Sequence, residues 1–250
     1  MAKILCVSNQ KGGVGKTMFA VHFAEYCLQH TKVLFVDLDG QGNSSSYFLN
    51  TKTVKDQGTS LLFSGKSPEI INVKDNLYIL QADKQLNDIE GLPLDRVLVF
   101  KKKFHEIAKN FELVVIDTPP SQGRRLIAAL ASSNAVVTPL GLDRASFEGL
   151  TDLLNDIKFI KQKMNPGLQH IGILVNRYKS VNKTQQKNLK QLKELLGDRV
   201  LSTVLNDRSS VGAAFDVGLP IWKKVNGASA RKASNEFIAA CDLVFKRLML

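Results

Sequence analysis

Cysteine is scarce in this sequence: Cys6, Cys27 and Cys241 stand far apart and form no Cys-x-x-Cys pair. That spacing speaks against a disulfide framework or a thiolate metal site, and suits small buried hydrophobes in a reducing compartment. No apolar run is long enough to span a bilayer, and Met1-Ala2-Lys3 leads straight into strand-like residues without the pattern of a signal peptide. A cytoplasmic protein is expected. Tryptophan occurs once, and aromatics do not interleave with the basic residues, so stacking on single-stranded nucleic acid is disfavoured. Internal repeats, low-complexity tracts and linkers are missing too, so residues 1–250 are expected to form one α/β domain.

Acidic residues run short in one part only. Net charge is +11. Residues 1–150 hold 17 Lys and Arg against 15 Asp and Glu, whereas residues 151–250 hold 17 against 8. A basic final hundred residues fits a polyanionic partner, nucleic acid or anionic membrane, and equally fits lysines that only keep the protein soluble. Short β-branched runs recur at Ile4–Ser8, Val33–Leu38, Leu77–Gln81, Leu113–Asp117, Ala135–Leu140, Ile171–Val175 and Val200–Leu205. Several are apolar throughout, as in strands covered on both faces. Helical periodicity lies near Lys16–Gln29, Leu94–Asn110, Arg124–Ser132, Ser146–Met164, Lys183–Leu196 and Ala230–Leu248. This alternation predicts a doubly wound, mostly parallel sheet with helices on both faces, binding ligands beyond the carboxyl ends of its strands. The stretch Asn50–Lys74, with Gly58, Gly65 and Pro68, is the least periodic and is expected to be a mobile surface excursion.

After the first strand stands Asn9-Gln10-Lys11-Gly12-Gly13-Val14-Gly15-Lys16-Thr17. Polyphosphate needs many backbone N–H groups aimed at one point. Closely spaced glycines let a chain wrap that tightly, and the following helix adds its positive end. The sheet is therefore expected to be a P-loop fold. Lys16 supplies a cation to the β/γ-phosphates, and the Thr17 hydroxyl is a hard oxygen ligand for Mg²⁺. Two details depart from the common loop: Gln10 stands where glycine is general, and a second lysine, Lys11, opens the loop. A lysine pointing away from its own phosphates would be free to reach a neighbour's nucleotide.

Lys11-Gly12-Gly13-Val14-Gly15-Lys16-Thr17 resembles the signature loop of the ParA/MinD family of deviant Walker-type ATPases. The likeness continues through Val36-Asp37-Leu38-Asp39-Gly40-Gln41-Gly42-Asn43 and Val115-Ile116-Asp117-Thr118-Pro119-Pro120-Ser121. It extends more weakly to Phe147-Glu148-Gly149, Val175-Asn176-Arg177 and Gly218-Leu219-Pro220-Ile221. The resemblance implies an ATPase that uses ATP and Mg²⁺ in a sandwich homodimer. Under it, residues Lys11 to Met18 hold nucleotide, and Lys11 crosses to the partner subunit's nucleotide. Asp39 positions the attacking water, Asp37 helps set up the loop, and Thr17, Asp37 and Asp117 form the metal set. Asn176 is similar to the family's adenine reader, since an amide donates and accepts at once, although an asparagine at a strand end also caps turns. Gly40 replaces the family's usual proline, which implies a looser water-positioning segment. Met18 replaces a hydroxyl residue, which removes an α-phosphate contact.

Three branches of the family compete. A ParA-like partition ATPase would bind duplex DNA without sequence preference as its ATP dimer, near the nucleoid, and a ParB-like partner would stimulate hydrolysis and release. A MinD-like ATPase would bind membrane through a C-terminal amphipathic helix, for which Phe237, Cys241, Val244, Phe245 and Leu248 have the spacing. A metabolic enzyme of this fold, such as a synthetase or the nitrogenase iron protein, is the third; the three cysteines are not placed to hold a cluster. The apolar stripe near Phe237 suits core packing better than a membrane, and the membrane tail would be expected beyond Leu250. The basic residues favour the first branch. Lys179, Lys183, Lys187, Lys190 and Lys193 include helical spacings, and Lys223, Lys224, Arg231 and Lys232 form a second cluster for duplex phosphates. Solvated lysine faces would give the same pattern.

Overall fold

The apolar runs become strands of one eight-stranded sheet in a computed structural model that describes residues 2–50 and 57–250. The strands are β1 Lys3–Val7, β2 Val33–Asp37, β3 Ile71–Lys74, β4 Leu77–Leu80, β5 Leu113–Asp117, β6 Ala135–Leu140, β7 Gln169–Tyr178 and β8 Val200–Asn206. Their order is β3-β4-β2-β5-β1-β6-β7-β8, and every pair is parallel except β3 with β4. The helices are α1 Lys16–Cys27, α2 Asn43–Leu49, α3 Asp95–Ala108, α4 Arg124–Ser132, α5 Arg144–Lys163, α6 Lys183–Leu196, α7 Ser209–Phe215 and α8 Gly227–Met249.

Register decides where the chemistry gathers. Val7 of β1 pairs with Asp117 of β5, and Asp117 pairs with Asp37 of β2. The phosphate loop and both carboxylates therefore leave the sheet side by side, beyond the carboxyl ends of three adjacent strands.

One apolar core joins α1 and α8 to one sheet face; a second joins α3, α4 and α5 to the other, and a smaller one extends it under α6. Helix α1 is buried nearly all round because it lies between the sheet and α8, so it carries no amphipathic stripe.

The stretch Asn50–Lys74 differs from its expectation. Residues 51–56 lie outside the described residues, and from Thr59 the chain packs against the core. A 3₁₀ turn at Thr59–Ser64 buries Leu62 and Phe63, and Thr59 Oγ1 donates to Gln81 O at 2.8 Å. Strand β3 then adds an antiparallel edge. Four half-exposed residues give too short an alternation to read as a strand.

His22, fully buried on α1, bonds Met18 O through Nδ1 at 2.7 Å and accepts from Ile221 N–H on Nε2 at 3.1 Å. Burial lowers its pKa to about 4, so the ring is neutral when folded. A depressed folded pKa means stability present above about pH 6.5 and lost as pH falls towards 4. His22→Ala should therefore be destabilised at pH 7. Its deficit relative to wild type should shrink by roughly 2 kcal/mol at pH 5, read from denaturant melts.

Candidate nucleotide-binding site

The loop from Gln10 to Gly15 turns at two left-handed glycines, Gly13 at φ 74° and Gly15 at φ 86°, and Gly15 opens α1. Asn9, fully buried, fixes the loop's entry: its Oδ1 accepts from Lys11 N–H at 2.9 Å and its Nδ2 donates to Pro139 O at 2.8 Å. Gln10 ties the loop outward, donating to Asp156 at 2.6 Å and accepting from Gln122 at 2.8 Å. That gives the departure from glycine a structural use, linking the loop to α5 and to the segment after Asp117. Lys16 is buried and donates to Lys11 O at 3.0 Å. Burial lowers its pKa, while Asp117 and Asp39 pull it back up. A desolvated cation held between two carboxylates suits a polyanion.

Over the loop opens a cavity of about 580 Å³. Its lining includes Gly12, Gly13, Gly15, Lys16, Thr17, Met18 and Asp39 together with Asn176, Arg208, Phe215 and Phe237. Loop donors and apolar rings lining one cavity suit a nucleotide's mixed polarity. Val14 is buried beneath the loop. Asn176 faces this cavity, but its amide is engaged: Nδ2 donates to Val14 O at 2.9 Å and Oδ1 accepts from Arg177 N–H at 2.8 Å. In this state it holds the loop.

The carboxylates divide their work. Asp117 is fully buried; Oδ2 accepts from Ser44 Oγ at 2.5 Å, and Oδ1 has no hydrogen-bond partner. Burial raises its pKa, eased by the Ser44 and Thr17 hydroxyls and the Lys16 charge. An orphaned carboxylate oxygen near a threonine hydroxyl fits a water on Mg²⁺, with Thr17 as direct ligand. Asp37 is turned towards the segment that carries Asp39. Its Oδ1 accepts from Asp39 N–H at 3.0 Å, and its Oδ2 from Ser45 N–H at 2.9 Å and Ser45 Oγ at 2.8 Å. These bonds shape the segment carrying Asp39, and burial, with Asp117 beside it, raises the pKa of Asp37. Asp39 lines the cavity, where one oxygen accepts from Gln41 N–H at 3.1 Å. Gly40 is not merely loose: an added Cβ would strike the Asn87 side chain, with Cγ at 3.1 Å.

Lys11 faces away from that cavity. Its amine pairs with Asp143 and lies 3.2 Å from Ser146 Oγ, at the start of α5. It lines a second cavity, of about 300 Å³, across the loop. Asp143 caps α5, accepting from Ser146 N–H at 3.1 Å. Gly149 of α5 lies beside the loop, where an added Cβ would make ordinary van der Waals contact with Lys11 Cβ at 3.7 Å.

The AAA domain family model matches residues 2–170. The chromosome-partitioning ATPase Soj of Treponema pallidum is 34% identical over 234 residues, covering 88% of this chain and 89% of that protein. The chain belongs to the ParA/MinD family of deviant Walker-type ATPases. A putative plasmid partition protein of Borrelia burgdorferi, bound to AMPPNP, superposes with a TM-score of 0.78 at 25% identity, covering 98% of this chain and all of that one. Cobyrinic acid a,c-diamide synthase of Mycobacterium smegmatis, with ADP and magnesium, gives 0.81 over 98% of this chain and 95% of that one. At 22% identity it shares the fold alone.

In this ParA/MinD chain the two basic clusters sit on opposite faces of the sheet. Lys183, Lys187 and Lys190 are exposed on α6, whose one buried residue, Leu192, packs with α5. Arg231 and Lys232 are exposed on α8, which packs with α1. Lys223 is exposed just before α8, whereas Lys224 donates to Ala213 O at 3.0 Å. Lys179 lies 3.6 Å from Asp207. The stripe Phe237, Cys241, Val244 and Leu248 is buried in the core. Among the described residues no helix is long and apolar enough to cross a membrane.

Proposed function

We propose that this chain is one ATPase domain that partitions or positions a cargo. Mg²⁺-dependent ATP binding closes two copies into a sandwich, the dimer holds duplex DNA of the nucleoid without sequence preference, and a ParB-like partner triggers hydrolysis to ADP and release. The observation that carries this reading is the pair of loop lysines facing opposite ways. Lys16 serves its own cavity, while Lys11 lies on the other side, where a second copy's nucleotide would meet it. Asn176 would then border the base and, on releasing one of its present bonds, read it. Burial of the α8 stripe favours DNA over a membrane surface as the anionic partner.

Light scattering tests the assembly. ATP with Mg²⁺ should double the mass of the wild-type protein. Lys11→Ala should bind ATP with little change yet stay monomeric, or hydrolyse about 100-fold more slowly if it pairs. An unchanged wild-type mass with ATP would rule out the sandwich.

A further inference from the structure

Arg177 has a backbone that a side chain rarely adopts. Its φ is 55°, in the left-handed region, near the end of β7. The ladder with β8 shifts register between Val175 and Tyr178, so Arg177 sits in an irregularity that re-aims its side chain. What it is aimed at is the phosphate loop. Arg177 Nη1 donates to Gly13 O at 2.9 Å, and its neighbour Asn176 donates to Val14 O at 2.9 Å. Asp207 Oδ1, 3.7 Å from Nε, steadies the other side of the guanidinium.

These two carbonyls matter because of the peptides they belong to. The Gly13 carbonyl shares a peptide with Val14 N–H, and the Val14 carbonyl with Gly15 N–H. A donor on the oxygen polarises the N–H on the far side, and the two bonds strengthen together. Holding the carbonyls outward also leaves the N–H groups facing in, as a polyanion requires. Gly15 belongs to the same arrangement: an added Cβ would collide with the Asn176 amide. Arg177 further lines both the 580 Å³ cavity and the 300 Å³ cavity across the loop.

We infer that Arg177 is a positioning residue for ATP, its strained backbone retained because it places the guanidinium on the outward carbonyl of Gly13. This rests on the nucleotide-site reading above. Backbone strain kept at a functional site has a distinctive consequence, because relief of the strain and loss of the function then come from one substitution.

The full chain is compared as wild type, Arg177→Gly and Arg177→Lys, with Kd for ATP by calorimetry and Tm of the nucleotide-free protein. Glycine accepts the left-handed backbone, so Arg177→Gly should keep or raise the Tm while weakening ATP binding about tenfold. Arg177→Lys keeps a cation near Gly13 O and should recover binding to within about threefold of wild type. A wild-type Kd in Arg177→Gly overturns the inference, and so does a lowered Tm, which would make its bonds part of the fold's own stability. Wild type that fails to bind ATP defeats the site reading itself; wild type that binds beside an unaffected Arg177→Gly defeats only this inference.

Discussion

Lys16→Ala should lose ATP binding altogether, and Asp39→Ala should bind ATP yet hydrolyse it at least about 100-fold more slowly. Lys16 is buried, and Asp117 and Asp39 hold its charge against desolvation. Removing the amine leaves those carboxylates facing incoming phosphates with no cation between, so binding fails before chemistry begins. Asp39 stands apart from the loop backbone. Asp37 and Gln41 fix its segment, and its carboxylate reaches the cavity without touching the N–H groups that cradle phosphate. Its loss should spare affinity and slow turnover. Under the proposed partner-triggered cycle, basal turnover of the wild type should itself lie below about 10 s⁻¹. Calorimetry and phosphate release separate the two variants. Full-rate hydrolysis by Asp39→Ala would take the water-positioning role away from it.

What the sequence disclosed follows from how local each signal is. The seven expected strands and six expected helices all form, because continuous apolar runs and long helical periods are set by residues close in sequence. Helices α2 and α7, of seven residues each, and strand β3, of four, went unread. Asn43–Leu49 is rich in serine and Ser209–Phe215 in glycine and alanine, so neither carries a periodic stripe. The phosphate loop was legible for the same local reason. The bonds between Asp37 and Ser45 were not legible, because Ser45 is indistinguishable in sequence from any turn serine. The Lys11 partner, Asp143, lies 132 residues away, and only the fold brings them together. Arg177 stood in a quoted motif, but its φ has no signature in residue type.

DNA binding carries the other large effect. A dimer presenting at least six lysine and arginine contacts should release a condensed counterion for each phosphate it neutralises. Log affinity should then fall against log salt by about 0.9 per contact, costing roughly 10³-fold between 50 and 200 mM. Because the two basic clusters lie on opposite sheet faces, one rigid duplex is expected to use one of them. Arg231→Ala with Lys232→Ala should weaken binding equally on any sequence and flatten the salt slope. Lys183→Ala with Lys187→Ala should leave both largely unchanged. Neither pair touches the cavity, so ATPase activity without DNA should persist in both. A result with the pairs reversed would move the DNA face to α6 and leave the partition reading standing.

The most direct test of that reading places Asp39→Ala protein, held in its ATP state, beside duplex DNA and beside anionic liposomes. Binding to duplex of any sequence with ATP, none with ADP, and none to liposomes in either state is the predicted outcome. Liposome binding without DNA binding would contradict it and make the protein a membrane-surface ATPase.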